Sequence, residues 1–206
     1  LLKLALPLVR AHGFTRDALS RSVLALPNPH TEPLRDTAVS ALFGEGDDAR
    51  RTLINAWLDE GRTQMRASAT VSDNAMKEVL RTRLRYNEPV ISLLPEAFAV
   101  LASPPGHILD PRPALKHTTS IADDACAVTG DKAVGTEWYA RRASLAAVYA
   151  AAELHQIQSP HTVDAFLDDL LARSSQLKGA VDDTVQFASY IASSWKGILK
   201  SRGIFI

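Results

Sequence analysis

Residues 137–158 read Glu137-Trp138-Tyr139-Ala140-Arg141-Arg142-Ala143-Ser144-Leu145-Ala146-Ala147-Val148-Tyr149-Ala150-Ala151-Ala152-Glu153-Leu154-His155-Gln156-Ile157-Gln158. Alanine, the strongest helix former, recurs through this stretch, and Ser159-Pro160 halts it. The reading is one long α-helix. Working outward, a helix ending near Gly130 precedes it, another follows to about residue 177, and a last one starts near Asp182. Upstream, helices are expected over 1–11, 16–26 and 34–43, with Gly13 and Gly44-Glu45-Gly46 as stops. Asp47 or Asp48 then caps a long fourth helix with Leu53, Ile54, Trp57, Leu58 and Met65 at helical spacing. Helices at 73–86 and 89–101 come next, before a loop holding Pro104, Pro105, Gly106, Pro111 and Pro113. β-Branched and polar residues do not alternate over any useful length, so the expected class is all-α.

Composition narrows the function. The 206 residues are enough for one full core or two small subdomains. Lys+Arg and Asp+Glu both number 23, so the chain as a whole lacks the basic footprint of a nucleic-acid binder. A single cysteine, Cys126, excludes an internal disulfide and a thiolate zinc cluster. No uninterrupted apolar run approaches the roughly 20 residues of a membrane span. The chain opens at Leu1 inside an apolar helical pattern, read as a trimmed start with any transit peptide outside it.

Three short helices, a long fourth and a larger helical remainder resemble the TetR layout. The expected fold is therefore a TetR-like helical bundle with an N-terminal helix-turn-helix-like head and a C-terminal amphipathic helix. The corresponding divisions are 1–70, 71–180 and 181–206.

A more specific resemblance lies in 123–154. Asp123-Asp124-Ala125-Cys126, Gly130-Asp131, Trp138-Tyr139-Ala140-Arg141-Arg142 and Ala146-Ala147-Val148-Tyr149 follow one another in the order and spacing of a known family. They resemble the TetR-fold lipid-binding family of ubiquinone (coenzyme Q) biosynthesis, the mitochondrial accessory protein that supports demethoxyubiquinone hydroxylase. The resemblance implies a non-enzymatic protein without cofactor, often a homodimer. It implies binding of an isoprenoid lipid or quinone intermediate and its presentation to the di-iron hydroxylase, peripherally at the matrix face of the mitochondrial inner membrane. Trp138, Tyr139 and Arg142 fall on a partner-docking patch, with Asp123, Asp124 and Asp131 as candidates for the same face. The chain departs from the pattern at Gly135, where some relatives carry an acidic residue.

The residues support parts of this independently. On a helix Arg142 lies beside Trp138 and Tyr139, and Trp, Tyr and Arg are the types enriched at binding hot spots. The competing reading packs Trp138 in the core with Arg142 snorkelling over it. After Asp183 no acidic residue occurs, while Lys196, Lys200 and Arg202 supply positive charge beside Trp195, Ile198 and Leu199. A basic amphipathic helix with a Trp suits a membrane surface, and equally an ordinary terminal helix packed on the bundle. For a lipid pocket, Leu84, Leu93, Leu94, Phe98, Leu101, Ile121, Leu145 and Tyr149 are the expected lining, about half of them touching ligand.

No metal signature is found among the six histidines, since Glu153-Leu154-His155 lacks the Glu-x-x-His spacing of a di-iron bundle. His117 reads as a surface residue, with a meeting with Asp123 or Asp124 the less favoured option. Cys126 reads as a buried structural thiol. The rival function is a TetR-type, ligand-responsive DNA-binding regulator. Its reading helix at 34–43 offers Arg35 followed at once by Asp36, and the stretch from Pro27 to Pro33 lengthens what should be a tight turn.

Overall fold

A computed structural model of the chain describes residues 1–69, 72, 74–103 and 110–176, and all regular structure among them is helical. The all-helical order agrees with the expected class and is consistent with a TetR-like bundle. The expected last helix at 181–206 lies outside the described residues. Contacts divide the chain into two units, Leu1–Gly61 with Pro89–Asp110, and Arg62–Glu88 with the segment after Asp110.

The first unit is built from short pieces. The expected helix at 1–11 is broken by Pro7 into α1 (Leu2–Ala5), a 3-10 turn at Leu6–Leu8 and α2 (Val9–His12). Gly13, at φ 69°, closes α2 in a conformation L side chains rarely adopt. Thr15 then caps α3 (Arg16–Arg21), its hydroxyl oxygen accepting from the Ala18 amide at 3.3 Å. After a 3-10 turn at Ser22–Ala25, the proline-rich connection is pinned back by Ser20, whose Oγ donates to the Leu34 carbonyl at 2.7 Å. α4 (Asp36–Phe43) starts two residues later than expected.

Arg16 gathers this head. Its Nε and Nη2 donate to Asp36 Oδ1 at 2.8 and 2.6 Å, Nη2 to Ser40 Oγ at 2.8 Å, and Nη1 to the Gly44 carbonyl at 3.3 Å. One side chain thus holds both ends of α4. α5 (Asp47–Ala67) buries Leu53, Ile54 and Trp57, with Phe14 edge-on to Trp57 at 5.9 Å. The expected helix at 89–101 is split into a 3-10 stretch (Glu88–Leu93), kinked at Val90, and α7 (Leu94–Ala102), which carries Pro95 in its first turn. Arg50 pairs with Glu96 and Arg51 Nε donates to the Val100 carbonyl at 3.1 Å. These bonds explain why Pro89–Asp110 groups with the head, although it follows residue 70 in sequence.

The second unit comprises the end of α5, α6 (Ala75–Asn87), α8 (Arg112–Val128), α9 (Thr136–Gln158) and α10 (Val163–Gln176). Pro113, expected in a loop, sits in the first turn of α8, where its missing N–H has no helical acceptor anyway. α9 packs against α6, α8 and α10. Met65, Val79, Leu80, Leu84, Ile121, Leu145, Val148 and Tyr149 share its core. Arg81 reaches from α6 to Asp168 of α10 at 2.9 Å, and Lys77 to the same carboxylate at 2.7 Å.

Gly44 offers a test of the head. Its φ is 107°, and an added Cβ would lie 2.9 Å from Asp48 Cβ. Gly44→Ala is expected to lower stability by about 1–3 kcal/mol. Gly46→Ala, at φ 52° in open space, should cost less. Thermal unfolding of both variants checks this, and equal losses would remove the Asp48 contact as the cause.

Candidate functional site

The corner between α8 and α9 carries the aromatic cluster. Gly135 precedes α9 at φ 63°, a backbone conformation that strains any L side chain. Trp138 and Tyr139 meet edge to face with ring centroids 4.7 Å apart. The Arg142 guanidinium lies over the Trp138 ring, 3.9 Å from its centroid. Arg142 is held there by two carboxylates, donating from Nε to Asp123 Oδ1 at 2.8 Å and from Nη1 to Asp131 Oδ2 at 3.3 Å. Arg141 reaches the other oxygen of Asp131 at 3.3 Å. The core reading of Trp138 does not hold, because the ring is only half-buried, Tyr139 is 70% exposed and Val134 79%.

A stacked cation contributes only about 0.5–1 kcal/mol at an exposed site. The Asp131 carboxylate is nearly buried, however, and its pairing with Arg142 costs more to break than a surface bridge. The pair therefore fixes the corner while leaving Tyr139 in water. Cys126 is buried beside Asp131, and burial first, then the Asp131 charge and hydrogen bond, push its thiol up despite the opposing arginines.

The other expected site residues separate. Asp124 points away from Arg142 and accepts instead from Arg62 Nε at 2.7 Å and Arg66 Nη1 at 2.9 Å. Leu84, Ile121, Leu145 and Tyr149 are buried in one cluster of the second unit. Leu94, Phe98 and Leu101 are buried, and Leu93 partly buried, in the first unit. Trp195, Lys196, Ile198, Leu199, Lys200 and Arg202 lie outside the described residues. Among the described residues no group of His, Cys, Asp or Glu is placed to hold a metal ion, and no helix is long and apolar enough to cross a membrane.

Sequence reasoning missed a buried polar cluster. His117 is not a surface residue and does not meet Asp123 or Asp124; it is 7% exposed, with Nε2 at 3.1 Å from Glu153 Oε2. Glu153 is wholly buried and accepts from Asn87 Nδ2 and from the Tyr149 hydroxyl, both at 2.8 Å. Asn87 Oδ1 accepts in turn from Arg83 Nη1 at 2.7 Å, and Arg83 is also wholly buried. Burial alone would raise the Glu153 carboxyl. The His117 charge and hydrogen bond, then Arg83 and the Tyr149 hydroxyl, outweigh it and hold the carboxyl at about 2. Tyr149 moves well above its ordinary value, through burial first and the neighbouring carboxylate next. The available signal was spacing: Arg83 with Asn87, and Tyr149 with Glu153, are polar i,i+4 pairs on otherwise apolar faces.

The COQ9 family model matches residues 112–178, spanning α8, α9 and α10. The chain is 30% identical over 171 residues to the mitochondrial ubiquinone biosynthesis protein COQ9 of Bos taurus, covering 77% of this chain and 50% of that protein. The chain is similar to COQ9 proteins over most of its own length. The Homo sapiens COQ9 is 28% identical over 169 residues, with the same 77% and 50% coverage. A probable coq9 of Dictyostelium discoideum is 26% identical over 197 residues, 90% of this chain and 62% of that protein. The chain thus spans about half the length of the first two COQ9 relatives. Their names tie the family to ubiquinone biosynthesis and to the mitochondrion, and name no enzyme activity. The matched COQ9 segment contains both the Trp138 corner and His117, Tyr149 and Glu153, but not Arg83 or Asn87.

Because Glu153 titrates below its usual 4.5 when folded, its contribution is full above about pH 4.5 and lost as pH falls toward about 2. That contribution is about 3 kcal/mol. Glu153→Gln is expected to lose it near neutrality and to flatten the acid limb of stability. Chemical denaturation between about pH 6 and 3 reads this; an unchanged acid limb would locate the sensitivity elsewhere.

Proposed function

We propose that the chain is a non-catalytic accessory protein of ubiquinone biosynthesis. In this reading it binds an isoprenoid lipid or quinone intermediate and presents it to the di-iron demethoxyubiquinone hydroxylase, at the matrix face of the inner membrane. The observation that carries the docking part is the exposure of Tyr139 beside Val134 and the half-buried Trp138, on a corner held by Arg142, Asp123 and Asp131. A rigid aromatic surface of this kind loses little conformational freedom when a partner covers it. The lipid part is supported by the apolar interior around Leu84, Ile121, Leu145 and Tyr149, bordered by the alanines of α9. Membrane attachment through the segment carrying Trp195, Lys196 and Lys200, and homodimerisation, belong to the same proposal.

The DNA-regulator reading is less well supported. α4 carries no Lys or Arg between Asp36 and Phe43, and its first-turn Asp36 occupies the nearby Arg16.

Trp138→Lys and Tyr139→Lys are each expected to weaken binding to the purified hydroxylase at least about ten-fold, with helical content unchanged. Undiminished binding by well-folded variants would remove the corner from the docking surface. Solvent extraction of the purified chain followed by mass spectrometry should yield about one isoprenoid or quinone per chain. An empty protein that shifts DNA in a gel would favour the regulator.

A further inference from the structure

Arg83 is wholly buried, yet only its Nη1 is bonded, to the Asn87 side chain at 2.7 Å. Its Nε and Nη2 are buried without a hydrogen-bond partner. These two nitrogens carry the parallel N–H bonds along one edge of the guanidinium, the edge that matches the two oxygens of a carboxylate. Glu153 does not fill it. Its carboxylate is committed to Asn87, Tyr149 and His117, and the Asn87 amide stands between it and Arg83. A buried cation with an open fork calls for an anion.

We propose that the free edge of Arg83, inside the second unit, is a binding site for a carboxylate. Arg83 shares α6 with Leu80 and Leu84, which belong to the same core as Ile121, Val148 and Tyr149, and its guanidinium lies 5.8 Å from the centroid of the Tyr86 ring. Two sources share this chemistry: the head of an acyl or isoprenoid acid, and a small free acid. The apolar-chain source rests on the lipid reading above; the fork itself does not.

The test uses the full chain with oleate, oleyl alcohol and acetate as probes, by titration calorimetry and by the carbon-13 shift of the labelled carboxyl. Oleate should bind at least about ten-fold tighter than oleyl alcohol, the worth of a charge-assisted bidentate contact. Arg83→Lys, which keeps the charge and loses the fork, should remove that preference while circular dichroism shows the native helix content. Acetate binding with the same Arg83 dependence assigns the site to a small acid, and binding of oleate alone assigns it to a lipid. Equal affinity for oleate and oleyl alcohol in the wild-type chain overturns the proposal without any variant. So does the absence of both oleate and acetate binding, which leaves water to satisfy Arg83 and Gln156 Oε1. Isoprenoid extracted from a chain with no carboxylate preference sinks this site alone. Carboxylate preference in a chain that carries no isoprenoid sinks the lipid reading alone.

Discussion

Glu153 keeps a full negative charge where no water reaches it, and the second unit is arranged around that fact. Removing a carboxylate from water costs several kcal/mol even after relaxation, unless it is paired and its lone pairs are filled. Here the donors come from three helices: Asn87 from α6, His117 from α8 and Tyr149 from α9 itself. Sliding α6 or α8 along α9 by one turn would strand the charge. Leucine and alanine packing tolerates several registers of helix against helix, whereas this cluster tolerates one. The apolar core supplies most of the stabilisation, and the polar cluster selects which packing is adopted.

The Trp138 corner uses the same physics nearer the surface. Asp131 is nearly buried and has to be paired, so it draws in Arg142, and Arg142 covers one face of Trp138. Asp123 completes the grip from the solvent side. The consequence is a partition of the aromatics, with Trp138 pinned and Tyr139 left open. In the head, Arg16 does comparable work with exposed partners, tying the start of α3 to both ends of α4 through carbonyls and Asp36.

Much of this was legible in the residues. The helix of 137–158, its stop at Ser159-Pro160 and the all-α class followed from propensity and periodicity, which are local properties, and the buried Cys126 from the absence of a flanking base or cation in the sequence. The proline-bearing segments were harder, because a proline bends, shortens or starts a helix according to what its neighbours pack against. Pro7 broke a helix expected to run unbroken over 1–11, and Pro113, expected in a loop, opened one. The aromatic corner was found by resemblance, but the split of Asp124 from Asp123 was not. Adjacent residues on a helix point about 100° apart, so one faced Arg142 and the other Arg62 and Arg66. The His117–Glu153 cluster was missed for a different reason. Its two i,i+4 pairs, Arg83 with Asn87 and Tyr149 with Glu153, lie on helices far apart in sequence, and nothing local joins them to each other or to His117.

Cys126 has a practical consequence. It is the chain's one thiol, sealed at the end of α8 against Asp131, and its reactive thiolate form is suppressed. An alkylating reagent can reach it only when that corner opens, so the labelling rate counts openings of α8 away from α9. The chain thus carries its own clock for the breathing of the surface that bears Trp138 and Tyr139.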